Sequence, residues 1–419
     1  MLLLKVNILN LLVYALLITV TSEQGRRNKS LESFHALQTL KLHIPKLSEA
    51  INNFSFRLYA CWHYNNVKNI YICPMTVMQV LSAFHFGLRG KSEQVFGEVL
   101  GYTDLNMTKM DVMEAFYLLT TKYFAHSNRR SLLNRASTIL VKREAELIPA
   151  FKYVAEHIFQ VPFTVIDVKE SPERVVHYLN HWVAARTSNK IKNIMDEMRS
   201  LEDVIGINAV HFKAAWKFRF ARKKTSKETF YNSGGIGRDK DIPMMHLTQL
   251  LKHYSAPGHR ILELPFQNSK LSMYIFLPKF INGIRITELD LRRSIAEDFC
   301  KMEPDFIEVA LPKFKFHCSA YLSKCLSMMD DGNPFIPDSE DLSVMFRNKS
   351  LSLGEMYHTT YIEVTEEGVD VPSNIPKTPI KPLIGIQNTL PFKVNHPFLF
   401  LIKDLRTGII LFIGRVEEI

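Results

Sequence analysis

Apolar residues recur three and four positions apart through the first half of the chain, which is the spacing of one face of an α-helix. On that spacing, helices are predicted over residues 54–59, 76–86, 110–123, 148–158 and 174–187. Thr76 is the expected N-cap of the second helix. Short runs at 69–72 and 136–142 predict strands between the helices. The first half is therefore expected to be mainly helical.

The hydrophobic pattern changes after about residue 200, where short apolar runs replace the helical spacing. Strands are predicted over residues 204–212, 229–231, 253–255, 260–264, 271–277, 307–316, 359–364, 398–403 and 409–416. Glycine-containing turns at 234–235 and 257–258 separate several strands, and a further helix is predicted over 321–328. No low-complexity linker or internal repeat divides the chain. The pattern predicts one α+β domain built on mixed, multi-stranded sheets.

Residues 1–22 have the pattern of a secretory signal peptide. Lys5 is the only charged residue there, and an apolar stretch covers residues 8–20. A membrane anchor is the competing interpretation, but the stretch is shorter than the roughly 20 residues that span a bilayer. We therefore expect cleavage and a secreted, extracellular protein without a membrane segment. It would consist of an N-terminal extension, 23–47, and a domain, 48–419.

The chain carries 52 lysines and arginines against 42 acidic residues, a net charge of +10, and loss of Lys5 with the signal peptide leaves +9. A basic extracellular protein is a candidate for binding polyanions such as heparan sulfate or heparin. Basic residues cluster at 26–29, 128–130 and 219–227. A solvated surface is the simpler explanation of each cluster. None is a dense basic run interleaved with aromatic residues, so nucleic acid is not an expected partner.

Cysteines, histidines and glycosylation sequons add little chemistry to this picture. An odd number of cysteines leaves at least one thiol unpaired within the chain: Cys61, Cys73, Cys300, Cys318 and Cys325. The 15 histidines are scattered without metal-ligand spacing, so no metal or other cofactor is expected. Four N-glycosylation sequons fit secretion: Asn28, Asn53, Asn106 and Asn348.

Five sequence blocks, spread over residues 48–416, carry a family resemblance. They lie at 69–90, 208–220, 243–279, 311–314 and 362–416, and they include the sequences NAVHFK, LPKF, EVTEEG and NHPFLF. In order and spacing these blocks resemble the signature segments of the serpins. The resemblance implies a single α+β domain with helices packed around mixed β-sheets. It also implies an exposed reactive-centre loop at about 366–391.

The resemblance assigns roles to residues outside the loop. Asn208 and His358 match a buried polar pair at the shutter, the region where the main sheet opens. Trp216 matches a tryptophan beneath the top of that sheet. Cys73 stands where the family usually has serine. Because a thiol is a weaker hydrogen-bond donor than a hydroxyl, Cys73 is expected to reduce the stability of the shutter.

The hinge of the loop corresponds to seven consecutive residues: Glu366, Glu367, Gly368, Val369, Asp370, Val371 and Pro372. Lys313 and Glu366 match a charge pair that helps to keep the sheet closed. An inhibitory serpin inserts its cleaved loop into the main sheet as a new strand, so alternate loop residues face the core. The resemblance places four small or apolar residues there: Val369, Val371, Ser373 and Ile375.

Two prolines occupy the other face of that strand. Pro372 and Pro376 each remove a backbone donor from what would become a central strand, where proline is normally excluded. An unpaired buried carbonyl costs roughly 1–3 kcal/mol. Asp370 and Asn374, which share this face, are expected to stay solvated. Insertion is therefore expected to be slow, and a slow trap leaves the loop an ordinary substrate.

The bond that a protease would cleave stays open between two alternatives. The segment 368–397 spans 29 positions, a few more than is usual in the family. The usual distance from the hinge glycine gives the bond between Pro382 and Leu383, which most serine proteases cleave poorly. The bond between Lys377 and Thr378 is the best trypsin-like site.

Two functions are compatible with these observations. The first is a secreted, monomeric serpin-fold protein that traps proteases poorly or not at all and acts by binding a ligand, a partner protein or a glycan. The alternative is an extracellular inhibitor that traps a trypsin-like serine protease through the 366–391 loop. An enzyme is not expected, because no GxSxG, HExxH or P-loop motif occurs and no GxGxxG stands in a suitable context.

Overall fold

The computed structural model describes residues 29–64, 68–124, 131–167, 171–197, 203–235, 237–267, 270–329, 341–347, 351, 353–371 and 388–419. Several expected features lie outside the described residues: the signal peptide, Asn28, Asn348, Pro372, Pro376 and the candidate cleavage bonds Lys377-Thr378 and Pro382-Leu383. Among the described helices, none is both long and apolar enough to cross a membrane.

Helices dominate the first half of the described chain. They are α1 (Lys29–Tyr64), α2 (Pro74–Gly87), α3 (Gly90–Val99), α4 (Lys109–Leu118), α5 (Pro149–His157), α6 (Pro172–Arg186), α7 (Ile284–Cys300) and α8 (Ser323–Ser327). Proline occupies the start of α2, α5 and α6, where its missing N–H would have no helical partner anyway. Thr76 consequently lies inside α2, and Cys73 stands at the N-cap instead.

The N-terminal extension has no structural boundary at residue 48. Helix α1 runs through that position without interruption. Ile44 and Leu47 precede the expected boundary, yet both are buried in the main core. At least the last residues of the expected extension therefore belong to the domain, because their apolar side chains complete the inner face of α1.

Fifteen strands are described. They are β1 (Ile70–Ile72), β2 (Ser131–Lys142), β3 (Phe163–Ile166), β4 (Val204–Ala215), β5 (Ser226–Tyr231), β6 (Asp239–Ser255), β7 (His259–Pro265), β8 (Leu271–Pro278), β9 (Glu303–Pro312), β10 (Phe314–Tyr321), β11 (Leu353–Thr365), β12 (Gly368–Val369), β13 (Leu390–Lys393), β14 (Phe398–Asp404) and β15 (Ile410–Val416). The predicted strand 307–316 is thus two strands, β9 and β10, which meet at Lys313.

The strands form two mixed sheets. One has nine strands in the order β1-β15-β14-β8-β7-β6-β9-β13, with β5 beside β6. The other has six, in the order β10-β11-β12-β4-β2-β3. Strands β8 and β15 are buried at every position, as their unbroken apolar sequences require. The predicted α+β domain with mixed, multi-stranded sheets is confirmed.

Two hydrophobic cores hold these layers together. The main core joins the nine-stranded sheet to α1, α2 and α4 and to the inner face of the six-stranded sheet. The second core lies between α6 and the six-stranded sheet, and it includes residues of β2, β4 and β11. A disulfide between Cys61 and Cys325 links α1 to α8, whereas Cys73, Cys300 and Cys318 are free thiols.

Candidate functional site

The centre of the six-stranded sheet is a seam between β4 and β11. The two strands run parallel and pair directly from Met356, opposite Gly206, to Tyr361, opposite His211. Beyond Tyr361 they separate, and β12 lies between them, antiparallel to both. The two residues of β12 are thus the beginning of a strand that would fill the whole seam if it continued.

The chain turns from β11 into β12 through Glu366 and Glu367. Gly368 follows with a φ of 149°, and a Cβ atom at this position would lie 2.1 Å from the carbonyl oxygen of Ala214. Only glycine permits so close an approach in this backbone conformation. The N–H of Trp216 donates to the Glu367 carbonyl at 3.0 Å, which fastens the turn to the end of β4.

Glu366 is paired with Lys313, the partner that the resemblance assigns to it. Its carboxylate lies 2.9 Å from the Lys313 ammonium and accepts a hydrogen bond from the Thr225 hydroxyl. Burial disfavours the ionised form of Glu366, but the Lys313 ammonium and the hydrogen bonds outweigh it and hold the pKa below its usual value. Glu366 is therefore an anion at neutral pH and ties the turn to Lys313, between β9 and β10.

Glu367 is held by two arginines from the connection between β4 and β5. Its carboxylate lies 3.1 Å from the guanidinium of Arg219 and 3.3 Å from that of Arg222. Arg219 is buried, whereas 54% of the Arg222 side chain is exposed. Glu367 thus joins the turn both to the interior and to a basic stretch of the surface.

Asp370 follows β12 and lies buried at the seam. It has a φ of 45°, and its N–H donates to the Glu363 carbonyl at 2.7 Å. Its carboxylate lies 2.5 Å from the Lys190 ammonium and 2.6 Å from Nε2 of His211, the latter without the alignment of a hydrogen bond. Burial alone would raise the pKa of Asp370, but His211 and Lys190 outweigh it and lower the pKa.

The expectation that Asp370 stays solvated differs from its position in this structure. Only 7% of the residue is exposed, because Lys190 and His211 provide charged partners inside the sheet. Val369, next to it, is fully buried in the main core, and Val371 is 9% exposed. All of the described hinge residues, 366–371, are therefore buried.

The shutter pair lies lower in the seam. Asn208 and His358 stand opposite each other and are fully buried, with Nδ1 of His358 2.7 Å from the Asn208 side-chain oxygen. Nε2 of His358 accepts the backbone N–H of Cys73 at 3.2 Å, so Nδ1 carries the proton. Burial lowers the pKa of His358 to about 3, which keeps the ring neutral.

Cys73 acts on this shutter through its backbone. Because the bond to His358 comes from the main chain, a cysteine in place of serine leaves it intact. Burial raises the pKa of the Cys73 thiol to about 12, so the group stays protonated. The expectation that a weak thiol donor reduces the stability of the shutter therefore does not apply to this hydrogen bond.

Trp216 joins the ends of β4 and β11. Its indole N–H donates to the Thr365 carbonyl at 3.0 Å, and its ring stacks on Phe266 with 4.8 Å between centroids. Only 2% of the residue is exposed. The ring therefore lies beneath the point at which β11 turns into the hinge.

Four basic residues of this site were not predicted from the sequence: Lys190, His211, Arg219 and Arg222. They lie far from the hinge along the chain and carry no common motif. The available signal was the three carboxylates at 366, 367 and 370, since acidic side chains in a buried segment require basic partners. These carboxylates predict that basic partners are present but do not identify which residues they are.

The two described sequons differ in their surroundings. Asn106 is exposed in the turn before α4. Asn53 is exposed on α1, but the Ser55 hydroxyl of its sequon is buried and donates to the Ile51 carbonyl at 2.6 Å. Of the two sequons that the structure describes, the one at Asn106 is therefore the one with both its asparagine and its hydroxyl residue exposed.

Ser226, Glu228 and His246 lie together without forming a nucleophile relay. The same nitrogen of His246, Nε2, is 3.4 Å from the Ser226 hydroxyl and 2.5 Å from the Glu228 carboxylate. A Ser–His–acid relay needs the two different nitrogens of the ring. Within the described part of the chain, no group of three or more histidine, cysteine, aspartate and glutamate side chains is placed to hold a metal ion.

Comparison with known proteins identifies relatives over most of the chain. The family profile described as Serpin (serine protease inhibitor) matches residues 49–419. Intracellular coagulation inhibitor 1 of Tachypleus tridentatus is 30% identical over 381 residues, covering 89% of this chain and 89% of its own. The structure resembles Serpin48 of the insect Tenebrio molitor, described as a highly specific serpin, with a TM-score of 0.78, 25% identity and coverage of 89% and 98% of the two chains.

Human thyroxine-binding globulin complexed with thyroxine also superposes well. The TM-score is 0.81 at 18% identity, and the match covers 90% of this chain and 99% of the globulin. At this level of identity the similarity concerns the fold alone. The fold is thus shared by a protein described as a highly specific serpin and by a thyroxine-binding globulin.

Proposed function

This chain belongs to the serpin family, and from that premise we propose that it is a secreted, non-catalytic serpin that traps proteases poorly or not at all. Its relatives include protease inhibitors, and this chain is proposed to differ from them in the slow or absent insertion of its cleaved loop. Support comes from the register of β12 together with the two prolines that follow the hinge. An insertion step that competes with hydrolysis must be fast, and prolines without a backbone donor slow it.

The register of β12 carries the proposal. Val369 is the last residue of β12 and pairs on both sides. Three residues further in the same register, Pro372 would stand between Tyr361 and His211, which now pair with each other. Proline has no N–H to donate, so one seam carbonyl would lose its partner.

Pro376 would repeat the defect four residues further along the inserted strand. Seven residues beyond the end of β12, it would fall between Tyr357 and Ile207, which are also paired at present. Each unpaired buried carbonyl costs roughly 1–3 kcal/mol. Inserted residues would pair with both β4 and β11, but the new ladders would lack two donors in the lower part of the seam.

Thermal unfolding before and after loop cleavage tests the proposal. Trypsin would be used under limiting conditions, and mass spectrometry would establish that cleavage falls within residues 372–387. We expect the melting temperature to change little, because the cleaved loop does not fill the seam. A large rise after cleavage, or an SDS-stable complex with the protease, would contradict the proposal.

The alternative function, trapping of a trypsin-like serine protease, is favoured by one observation. The hinge has already begun to insert, with Val369 and Val371 buried. Incubation with a panel of trypsin-like proteases, followed by denaturing electrophoresis, distinguishes this function. The mass of the released C-terminal fragment would assign the cleaved bond to Lys377-Thr378 or to Pro382-Leu383.

We also propose that the protein is exported as a monomer and binds sulfated glycans such as heparan sulfate. The signal-peptide pattern of residues 1–22 supports export. Four exposed cationic side chains support glycan binding, three in the β4–β5 connection and one at the start of β5: Arg222, Lys223, Lys224 and Lys227. The measurement is elution from a heparin column, where Lys223→Ala/Lys224→Ala should elute at lower salt than the wild type.

A further inference from the structure

The outer face of α6 carries two histidines, His177 and His181. The inner face of this helix packs on the six-stranded sheet through a buried apolar stripe: Val175, Val176, Leu179 and Val183. His177 and His181 are exposed and four residues apart. Side chains at this spacing are neighbours on one helical face. The histidines are therefore not all scattered, because these two share a surface.

Both imidazoles also border the same depression in the surface. The cavity has a volume of about 500 Å³ and is lined by Glu173, Arg174, His177, Tyr178 and His181. Two histidines one helical turn apart, facing a common space, are the ligand pair by which helices bind zinc in HExxH sites. Imidazole nitrogen is a preferred ligand of zinc, copper and nickel ions.

Glu173, one turn before His177, does not complete a three-ligand set. The pKa of Glu173 is lowered because its own backbone N–H and the Ser171 hydroxyl donate to the carboxylate at the start of α6. It is also eight residues from His181, two helical turns away, which is too far to share one ion with it. The two histidines therefore act as a pair.

We propose that His177 and His181 bind one divalent transition-metal ion of the Zn²⁺ type through their imidazole nitrogens, with water completing the coordination. The site is independent of the function proposed above. Because an ion held by two side chains bridges consecutive turns, it stabilises the helical form of α6. This helix covers the β4–β11 seam, since Ile207 and Tyr361 belong to the core beneath it.

Isothermal titration of the full-length folded protein with zinc chloride tests the site. The variants are His177→Gln, His181→Gln and the double variant, with His157→Gln as the matched control. His157 is an exposed histidine on the helix α5 and has no histidine four residues away on either side. Unchanged circular dichroism would establish that each variant is folded.

We expect a site with one ion per protein that the double variant lacks. Each single variant should bind roughly tenfold or more weakly, because the second ligand no longer acts intramolecularly. His157→Gln should bind like the wild type. Equal affinity of the wild type and the single variants would overturn the proposal.

A magnesium titration separates imidazole from carboxylate ligation. Mg²⁺ takes oxygen ligands, so the two-histidine site should not bind it measurably. Magnesium binding as tight as that of zinc, lost in the same variants, would show that oxygen atoms are the ligands and would contradict the proposal. So would two weak zinc sites of which each single variant removes one, because independent histidines would then explain the binding.

Discussion

Asp370 connects the hinge to three other segments, two of which are remote in sequence. Lys190 comes from the connection between α6 and β4, His211 from β4, and Glu363 from β11. The pKa of Lys190 is raised, because its contacts with Asp370 and Glu363 outweigh the effect of burial. The hinge is therefore fastened at its far end by Asp370, as it is at its near end by Glu366 and Glu367.

Replacing Asp370 by asparagine should loosen this end of the hinge. The change removes the charge that pairs with Lys190 and His211, and we expect a loss of about 1–3 kcal/mol in the free energy of unfolding. The amides of 368–371 should exchange faster, which hydrogen-exchange mass spectrometry measures. Glu363→Gln is the matched control, since it removes another partner of Lys190 outside the hinge. Equal protection of 368–371 in Asp370→Asn and the wild type would contradict this role.

His358 should make the protein less stable in acid. Its pKa is about 3 in the fold and near 6.5 in an unfolded chain. Below pH 6.5 the unfolded chain therefore gains a proton that the folded protein does not bind, and stability falls toward pH 3 by up to about 1.4 kcal/mol per pH unit. Denaturant unfolding from pH 7 to pH 4 should show a shallower decline for His358→Gln than for the wild type.

The exposed His157 provides the control for that pH series. His157→Gln should decline as steeply as the wild type, because His157 lies exposed at the end of α5 and outside the shutter. A decline of His358→Gln parallel to that of the wild type would mean that other buried groups, such as His85 with its pKa lowered to about 3, account for the acid sensitivity.

At the residue scale, the sequence predicts roles where a conformation or a short pattern requires one residue type. Gly368 is such a case, because no side chain fits against Ala214. Asn208 and His358 were placed by resemblance and do face each other. Lys190 and Arg219 could not be found, because ion pairs between distant segments leave no spacing in the sequence.

Among the elements, α1 and α8 are joined by the one disulfide of the described residues. Cys61 and Cys325 are separated by 264 positions, so their bond closes a long loop. Cys61→Ala should lower the free energy of unfolding by about 2–4 kcal/mol, because the unfolded chain regains that freedom. Thermal unfolding measures the loss, with the exposed thiol variant Cys300→Ala as control. Equal melting temperatures of Cys61→Ala and the wild type would exclude a stabilising bond.

Element prediction succeeded where one periodicity dominates. Helix α6 was predicted within two residues at its start and one at its end, because its apolar positions form a single buried stripe. Helix α7 was not predicted, because its apolar residues lie on two faces: Ile286 and Leu289 are exposed, whereas Leu291 is buried. Strand β12 was not predicted either, because two residues carry no period and its pairing depends on the open seam.

At the scale of the whole molecule, the β4–β11 seam and α6 must move together. The second core contains residues of α6, β4 and β11 together, so any strand that separates β4 from β11 must also shift α6. The direct pairs from Met356 to Tyr361 must open at the same time. An inserted strand would gain hydrogen bonds with both β4 and β11, as β12 already does, and each loop proline lowers that gain by removing one backbone donor.

Restoring donors to the loop should restore insertion. In Pro372→Ala/Pro376→Ala, cleavage between Lys377 and Thr378 should raise the melting temperature well above that of the intact variant, whereas the cleaved wild type should change little. Each restored donor contributes roughly 1–3 kcal/mol to the cleaved form, which amounts to a few degrees per proline. Differential scanning calorimetry of intact and cleaved samples measures the difference.

The matched control is Pro379→Ala/Pro382→Ala, which changes two prolines that lie beyond the Lys377-Thr378 bond and so outside the inserted strand. This variant should behave like the wild type after cleavage at that bond. If both double variants gain the same stability, the gain comes from loop flexibility and not from strand pairing. If neither gains any, the barrier lies in the locked hinge itself, and Asp370→Asn combined with Pro372→Ala/Pro376→Ala would then be required before the seam could fill.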